Sequence, residues 1–288
     1  MISKIKKIGF VNVIDDLLNN QLSYINFRLH KLMGVPYFGS YLASSQGQKI
    51  RHKFMQAIIC EKFKNYDGEI HLLEIGSWAG GSVLTWIEIL ESMNKKYKIF
   101  CIDPWKDYLK EEKSLWTHKT MRNALKKNRI YELFLHNIIS SGYSQNISIL
   151  RGTTFEISSV LKENSFDAIF IDGNHSYEFV KTDLEITAKL LKDKGLLCGD
   201  DLELQYHEVD QEQLLNNRNK DVVVDKNTSK NYHPGVTLAV WDFFEKEIPS
   251  INGFWFIEKN YNQWSNMNTD VVDFDSIDIP KHLKRKVL

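Results

Sequence analysis

Residues 167–201 hold four side chains whose types and spacing could do chemistry together: Asp172, His175, Asp200 and Asp201. Two apolar runs, AIFID (168–172) and GLLCGD (195–200), each end in carboxylates, and a segment of helical length joins them. Parallel neighbouring strands lie about 4.8 Å apart. Asp172 would therefore meet Asp200 and Asp201 at the carboxyl ends of adjacent strands, where open α/β sheets bind ligands. Carboxylates gathered in one place repel one another unless a cation sits among them. Oxygen ligands suit Mg²⁺, with Mn²⁺ or Ca²⁺ as alternatives. His175 follows Asp172 by three residues on one short loop, so metal and imidazole would face one pocket. An imidazole with an unperturbed pKa of about 6.5 can take a proton at neutral pH. Plainer readings stand beside these. Asp172 could be a helix cap or a ribose ligand, Asp200–Asp201 a turn, and His175 the cap of a helix starting near Ser176. Tyr177, His207 and His233 compete for the role of base.

The elements that must position these groups are legible upstream. HLLEIGSWAGGS (71–82) is an apolar strand core running into Glu74-x-Gly76-x-x-x-Gly80, with Gly81 and Ser82 next, and VLTWIEIL follows at helical spacing. Gly76 and Gly80 let the backbone turn tightly and approach a ligand. The helix start beyond them offers free N–H groups to an anion. One unit later YKIFCIDPW (97–105) is an apolar strand ending in Asp103. An acidic residue there accepts hydrogen bonds from ribose hydroxyls; the plainer role is a helix cap. The core strands are expected at about 71–75, 98–103, 147–151, 167–172 and 195–200. FWFIEK (254–259) and NQWSNM (262–267) complete the sheet as an antiparallel hairpin at its edge.

The spacing of Glu74, Gly76 and Gly80 resembles motif I of the class I S-adenosylmethionine (SAM) methyltransferases. FIDGNHSY (170–177) and GLLCGDD (195–201) resemble recurrent strings of their metal-dependent O-methyltransferase branch. That branch includes catechol O-methyltransferase, the macrocin/mycinamicin sugar O-methyltransferases and cephalosporin-hydroxylase-like proteins. The resemblance covers residues 70–201 well and 233–265 loosely. It implies an α/β fold: a Rossmann-like class I methyltransferase sheet, mostly parallel with an antiparallel terminal hairpin, plus an N-terminal helical extension. It implies SAM as cofactor, held by Glu74, Gly76, Trp78, Gly80, Ser82 (at the SAM carboxylate), Asp103 and Asp172. RGTTFEI (151–157) matches the adenine-contacting segment, which adds Gly152, Thr153 and Thr154. It implies Asp172, Asp200 and Asp201 as ligands of Mg²⁺ or Mn²⁺, and His175 as general base. The catechol enzymes carry Lys at that place and the sugar enzymes His, so the implied acceptor is a carbohydrate hydroxyl, with a catechol-like or other small molecule as alternative. The chemistry suits these groups. Methyl transfer from a sulfonium gains mainly from positioning, and a bound Mg²⁺ lowers the pKa of a coordinated hydroxyl.

The chain divides into an N-terminal helical extension (1–65), a SAM-binding core (66–201), an insertion over the active site (202–232) and a segment that completes the sheet and ends in a basic tail (233–288). Apolar residues at 5, 8, 11/12, 14, 17/18 and 21/22 give the extension an amphipathic helical pattern that ends at Gly34 and Pro36. It would pack on the core, lid the cofactor or pair subunits into a homo-oligomer. A second helix is expected at 47–65. In the long crossover of 104–146, Trp105, Trp116 and His118 would cover the SAM site or simply pack. The polar stretch 202–232 is the candidate acceptor-specificity loop, with a solvated excursion as the plainer reading.

Net charge is zero over 288 residues, which gives no reason to expect nucleic acid as a partner. A nucleic-acid methyltransferase is further disfavoured because IDGNH stands where an N-P-P-Y-type string would follow strand four. An NAD(P)-dependent oxidoreductase shares the Asp103 device, but Glu74 and the Asp200–Asp201 pair argue against it. A non-catalytic SAM-binding protein would need no metal ligands. Three scattered cysteines (Cys60, Cys101, Cys198) read as buried thiols in a reducing compartment. Asp15 and Asp16 interrupt any signal-peptide core, and no apolar run is long enough for a membrane span, so a cytoplasmic location is expected.

Overall fold

A computed structural model describes residues 21–44, 49–106, 116–261 and 263–284. The apolar pattern of residues 5–18, the N-terminal acidic pair and the last four residues of the basic tail lie outside the described residues, as do the side chains of Trp116 and His118.

A helix over 21–33 (α1) is followed by α2 (Lys49–Phe63), β1 (Ile70–Ile75), α3 (Gly81–Ser92) and β2 (Tyr97–Asp103). Helices α4 (Trp116–Leu125) and α5 (Arg129–Ser141) fill the long crossover to β3 (Ile147–Arg151). Then come α6 (Thr154–Ser158), β4 (Phe166–Ile171), α7 (Tyr177–Leu190), β5 (Leu191–Leu202), α8 (Gln211–Asn217), β6 (Val223–Val224) and β7 (Asn231–Tyr232). The chain closes with α9 (Pro234–Phe244), β8 (Ser250–Ile251), β9 (Gly253–Asn260), β10 (Gln263–Ser265) and α10 (Lys281–Lys284).

The main sheet runs β10-β9-β5-β4-β1-β2-β3. β3, β2, β1, β4 and β5 are parallel, and β9 adds to β5 antiparallel with β10 outside it. This is the Rossmann-like sheet with an antiparallel terminal hairpin expected from the sequence. Its order reverses at β1/β4, and ligands bind at the carboxyl ends beside such a switch point.

Strand alternation sorts the two faces. Glu74, Cys101, Phe170, Cys198 and Phe256 stand in one row across the sheet. They face the core under α2, α3 and α5, with Trp86, Ile58 and Phe134. Leu73, Ile169, Leu197 and Ile257 face the opposite core under α7 and α9, with Leu184 and Val240. Residues 204–238 carry a small core of their own, built from Leu204, Val209, Leu214, Tyr232 and Leu238. The polar stretch after β5 is thus a packed unit, with the β6–β7 ribbon formed where the sequence showed only VVVD. The described part of the N-terminal extension packs on the core: Phe27 and Tyr41 lie against the core cluster that holds Tyr37, and the Tyr37 backbone N–H donates to Asn137 Oδ1 of α5 at 2.8 Å.

One irregularity matters for the site. In the β5–β9 ladder Gly199 pairs with Trp255 and Leu202 with Gly253, so β5 carries one extra residue between them. Such a bulge re-aims side chains. Asp200 and Asp201, which lie in it, both reach the same region, and Asp201 takes a left-handed φ of 66°.

Candidate active site

The carboxyl ends of β1 to β5 surround one cavity of about 660 Å³, within the range of small-molecule sites. The loop after β1 forms its floor. Gly76 has φ +88°, and a Cβ there would stand 1.8 Å from the carbonyl oxygen of Asp172, so no side chain fits between the two strand ends. Trp78 and Ser82 line the cavity. Gly80 (φ +84°) does not; its Cα faces Phe134 behind the loop.

Asp103 ends β2 and is 8% exposed. Its Oδ2 accepts the Trp78 backbone N–H (2.9 Å) and its Oδ1 that of Trp105 (2.6 Å). Burial raises its pKa to about 6 against the pull of these bonds. Gly152 N–H bonds the Asp103 carbonyl at 3.2 Å, which sets the β3–α6 turn beside it. Gly152, Thr153 and Thr154 all line the cavity. Thr153 caps α6 through a reciprocal box with Glu156. Trp105, by contrast, is 1% exposed and packed between Tyr131 and Phe134, each 4.8 Å away. It is a core residue rather than a cover.

Glu74 points away from the cavity. It is fully buried and its Oε2 accepts the Trp86 indole N–H at 2.7 Å. Burial raises its pKa to about 8, with Ser82, Trp86 and Ser77 pulling back. The native state therefore holds a proton that the unfolded chain releases from about pH 4.5 upward. Stability falls as pH rises from there to about 8 and stays reduced above it. Glu74→Gln keeps an acceptor for Trp86 and removes the titration. Its urea midpoint should equal that of the wild type near pH 5 and exceed it increasingly toward pH 8.5; parallel midpoint-against-pH curves would show Glu74 charged in the fold.

The acceptor end is built by Asp172, His175, Asp200 and Asp201, all on the cavity wall. Neither Asp172 nor His175 caps α7; Asn174 Oδ1 accepts the Ser176 N–H instead. His175 is clamped. Its Nδ1 lies 2.7 Å from Asp221 and its Nε2 2.9 Å from Asp201 and 3.9 Å from Asp172. Burial would lower its pKa, but the charge of Asp201 and hydrogen bonds to Asp172, Asp201 and Asp221 outweigh it and raise it well above the usual value. These carboxylates favour the protonated imidazole, so the neutral Nε2 that a base needs requires Asp201 and Asp172 to be engaged elsewhere. Burial likewise works against Asp201, and the charge and hydrogen bond of His175, with His233 and Arg51, hold it well below the ordinary carboxylate range.

Two members of the cluster carried no local signal. Arg51 of α2 bonds Asp200 directly, lies 3.3 Å from Asp201, and donates from Nε to the Asn252 carbonyl at 3.0 Å. Asp221 comes from the segment after β5. Of the competing bases, His233 lines the cavity with its ring 4.7 Å from that of His175 and its Nδ1 3.0 Å from Glu203. Tyr177 bonds Asp242, and His207 packs on Trp241; neither reaches the cavity. Gly235, at the start of α9, fixes this corner: a Cβ there would stand 2.2 Å from the His175 carbonyl.

Ligand atoms of Asp172, His175 and Asp201 lie within 4.8 Å of one another, a mixed O/N set that fits a divalent cation. Asp200, also read as a ligand from the sequence, is outside this group because it turns to Arg51.

Residues 73–202 match a family model described as a methyltransferase domain. No curated protein matches the chain. Among solved structures, a putative caffeoyl-CoA O-methyltransferase from Staphylococcus aureus is 15% identical, over 89% of this chain and 100% of that one, with a TM-score of 0.48. An O-methyltransferase from Bacillus cereus solved with S-adenosylhomocysteine (SAH) is 13% identical over 86% and 94%, with a TM-score of 0.42. TomG from Streptomyces achromogenes, an O-methyltransferase of tomaymycin synthesis solved with SAM, is 12% identical over 81% and 93%, at 0.45. At these identities the likeness to solved structures says nothing of substrate. No helix among the described residues is long and apolar enough to cross a membrane.

Proposed function

We propose, from the premise that residues 73–202 are a class I SAM-dependent methyltransferase domain, that the protein transfers the SAM methyl group to a sugar or glycan hydroxyl with the help of a divalent cation. One observation carries the reading: the glycine loop, Asp103 and the Asp172–His175–Asp201 group all open into a single cavity. Ser82 and Gly76 at α3 would take the amino-acid moiety, Asp103 the ribose and Gly152–Thr154 the base. Asp172 and Asp201, with His175 beside them, would hold Mg²⁺ or Mn²⁺. Such a cation, when bound, lowers the pKa of a coordinated hydroxyl. The residues of the chain do the rest. Asp221 keeps the Nδ1 side of His175 fixed, and Asp172 and Asp201, drawn toward a cation, would hold the Nε2 proton less tightly, so that Nε2, once neutral, would take the acceptor proton. The polar wall of His233 and Asp221 suits a hydroxylated acceptor, and the 202–232 segment that supplies Asp221 would choose it. The fixed geometry of β1, β2 and β4 would hold the methyl donor in line with that hydroxyl.

The test is transfer of labelled methyl from SAM to a panel of oligosaccharides and nucleotide sugars. Label should enter a glycan, disappear after metal removal with EDTA, and return with Mg²⁺ or Mn²⁺. Full transfer in verified metal-free protein would sink the metal role; label confined to non-glycan acceptors would sink the sugar.

A further inference from the structure

Of the cavity carboxyl groups that neither the metal set nor the ribose contact uses, Asp200 pairs with Arg51 and Asp221 with His175, while Asp183 faces no charged group among the described residues. Asp183, on the second turn of α7, is 8% exposed and lines the cavity. Its Oδ2 would be 3.3 Å from a Cβ on Gly173, which places it under the loop leaving β4. Thr154, at the start of α6, hydrogen-bonds it. Burial raises its pKa to about 7, and Thr154 draws it partway back. A carboxyl group this deep usually has an arginine, a lysine or several N–H groups to satisfy it. Among the described residues Asp183 has the Thr154 hydroxyl, and beyond it the cavity.

Its position along the cavity decides what could satisfy it. Asp103 and Gly152 are joined by a backbone hydrogen bond of 3.2 Å, so a ribose held at Asp103 puts its base against the β3–α6 turn. Thr154 belongs to that turn and touches Asp183. Adenine presents an N–H donor (N6) and an acceptor (N1) side by side on its outer edge. A carboxyl group that is partly protonated at neutral pH offers an O–H and a C=O side by side. The match is one of paired hydrogen bonds at a carboxyl group only 8% exposed, where an unmade bond costs more than a made one gains.

We propose that Asp183 is a specificity-determining residue that reads the amino-bearing edge of the cofactor's purine. The inference rests on the reading of the cavity as a SAM site. Asn preserves a donor and an acceptor in the same shape, whereas Leu preserves volume and removes both.

The experiment is calorimetry with SAH, followed by competition of bound SAH by adenosine and by purine riboside, which lacks the 6-amino group. Wild-type protein should bind SAH and prefer adenosine over purine riboside by about tenfold or more, as for one buried hydrogen bond. Asp183→Asn should keep most of that preference. Asp183→Leu should weaken SAH about 10- to 100-fold and bring the two nucleosides level, a ratio that a merely structural role would not move. Absence of SAH binding by the wild type would overturn the cofactor reading itself and the inference with it. SAH binding with no wild-type preference between the two nucleosides would overturn the inference alone, and needs no variant to fold.

Discussion

Arg51→Met should destabilise the folded protein by about 3–5 kcal/mol at neutral pH, the cost of leaving a buried charge without its partner. The side chains of Arg51, Asp200 and Asp201 are only 13%, 11% and 12% exposed, so solvent screens them weakly. Burial works against the guanidinium, and Asp200, then Asp201 and Asp172, overcome it and hold it charged. Met fills the volume and supplies no charge, so two adjacent carboxylates would face each other across a bulge. The sign with pH follows. Burial and Asp201 already push Asp200 above the ordinary carboxylate range and Arg51 pulls it back; without Arg51 it rises further, so the loss should grow as pH rises and shrink toward pH 4–5. Urea unfolding at both pH values reads this directly. Added Mn²⁺ should recover part of the midpoint in the variant by binding the native state alone. Equal midpoints for wild type and variant at pH 7.5 would show that the pair carries its charge without Arg51.

His175→Ala should lower kcat by about 10²–10⁴ on the acceptor that the labelled-methyl screen identifies, with SAH affinity unchanged. Asp221→Asn tests the other side of the imidazole. It keeps the shape but gives up the charge and can turn an amide N–H toward Nδ1, so kcat should fall about 10- to 100-fold, the usual cost of a weakened orienting partner, while KM for SAM holds. Asp221→Glu should restore part of the rate. A His175→Ala enzyme with wild-type kcat would move the base elsewhere, and His233, on the same wall, is the next candidate.

The scaffold was legible because its signals are local. Each core strand is a short apolar run with a carboxylate or glycine at its end, and the glycine loop, Asp103, Asp172, His175 and Asp201 fall on those ends. Gly76, Asp103, Asp172, His175 and Asp201 all line the cavity; Gly80 does not. What escaped depends on closure over long sequence distances. Arg51 lies 149 residues from the Asp200 it bonds, and on its helix it looks like any basic residue. Asp221 sits in a polar stretch where one acidic residue resembles the next, and Asp183 reads as the polar side of an ordinary helix. Glu74 shows the opposite error. The resemblance implied a cofactor contact for it, but the period of two turns it, with Cys101 and Phe170, onto the α3 side of the sheet.

The extra residue in β5 carries a wider consequence. A regular strand sends neighbours to opposite faces, so Asp200 and Asp201 could not both serve the cavity without it. Removing one residue there would give the β5–β9 ladder an unbroken register and release the left-handed backbone of Asp201, a conformation that costs of order 1–3 kcal/mol outside glycine. The shortened sheet would be easier to fold and have no acidic pair to offer. Along this strand, then, selection for a sturdier protein and selection for a working one pull on the same single residue in opposite directions, and length itself, not only side-chain identity, is what a lineage must conserve to keep the chemistry.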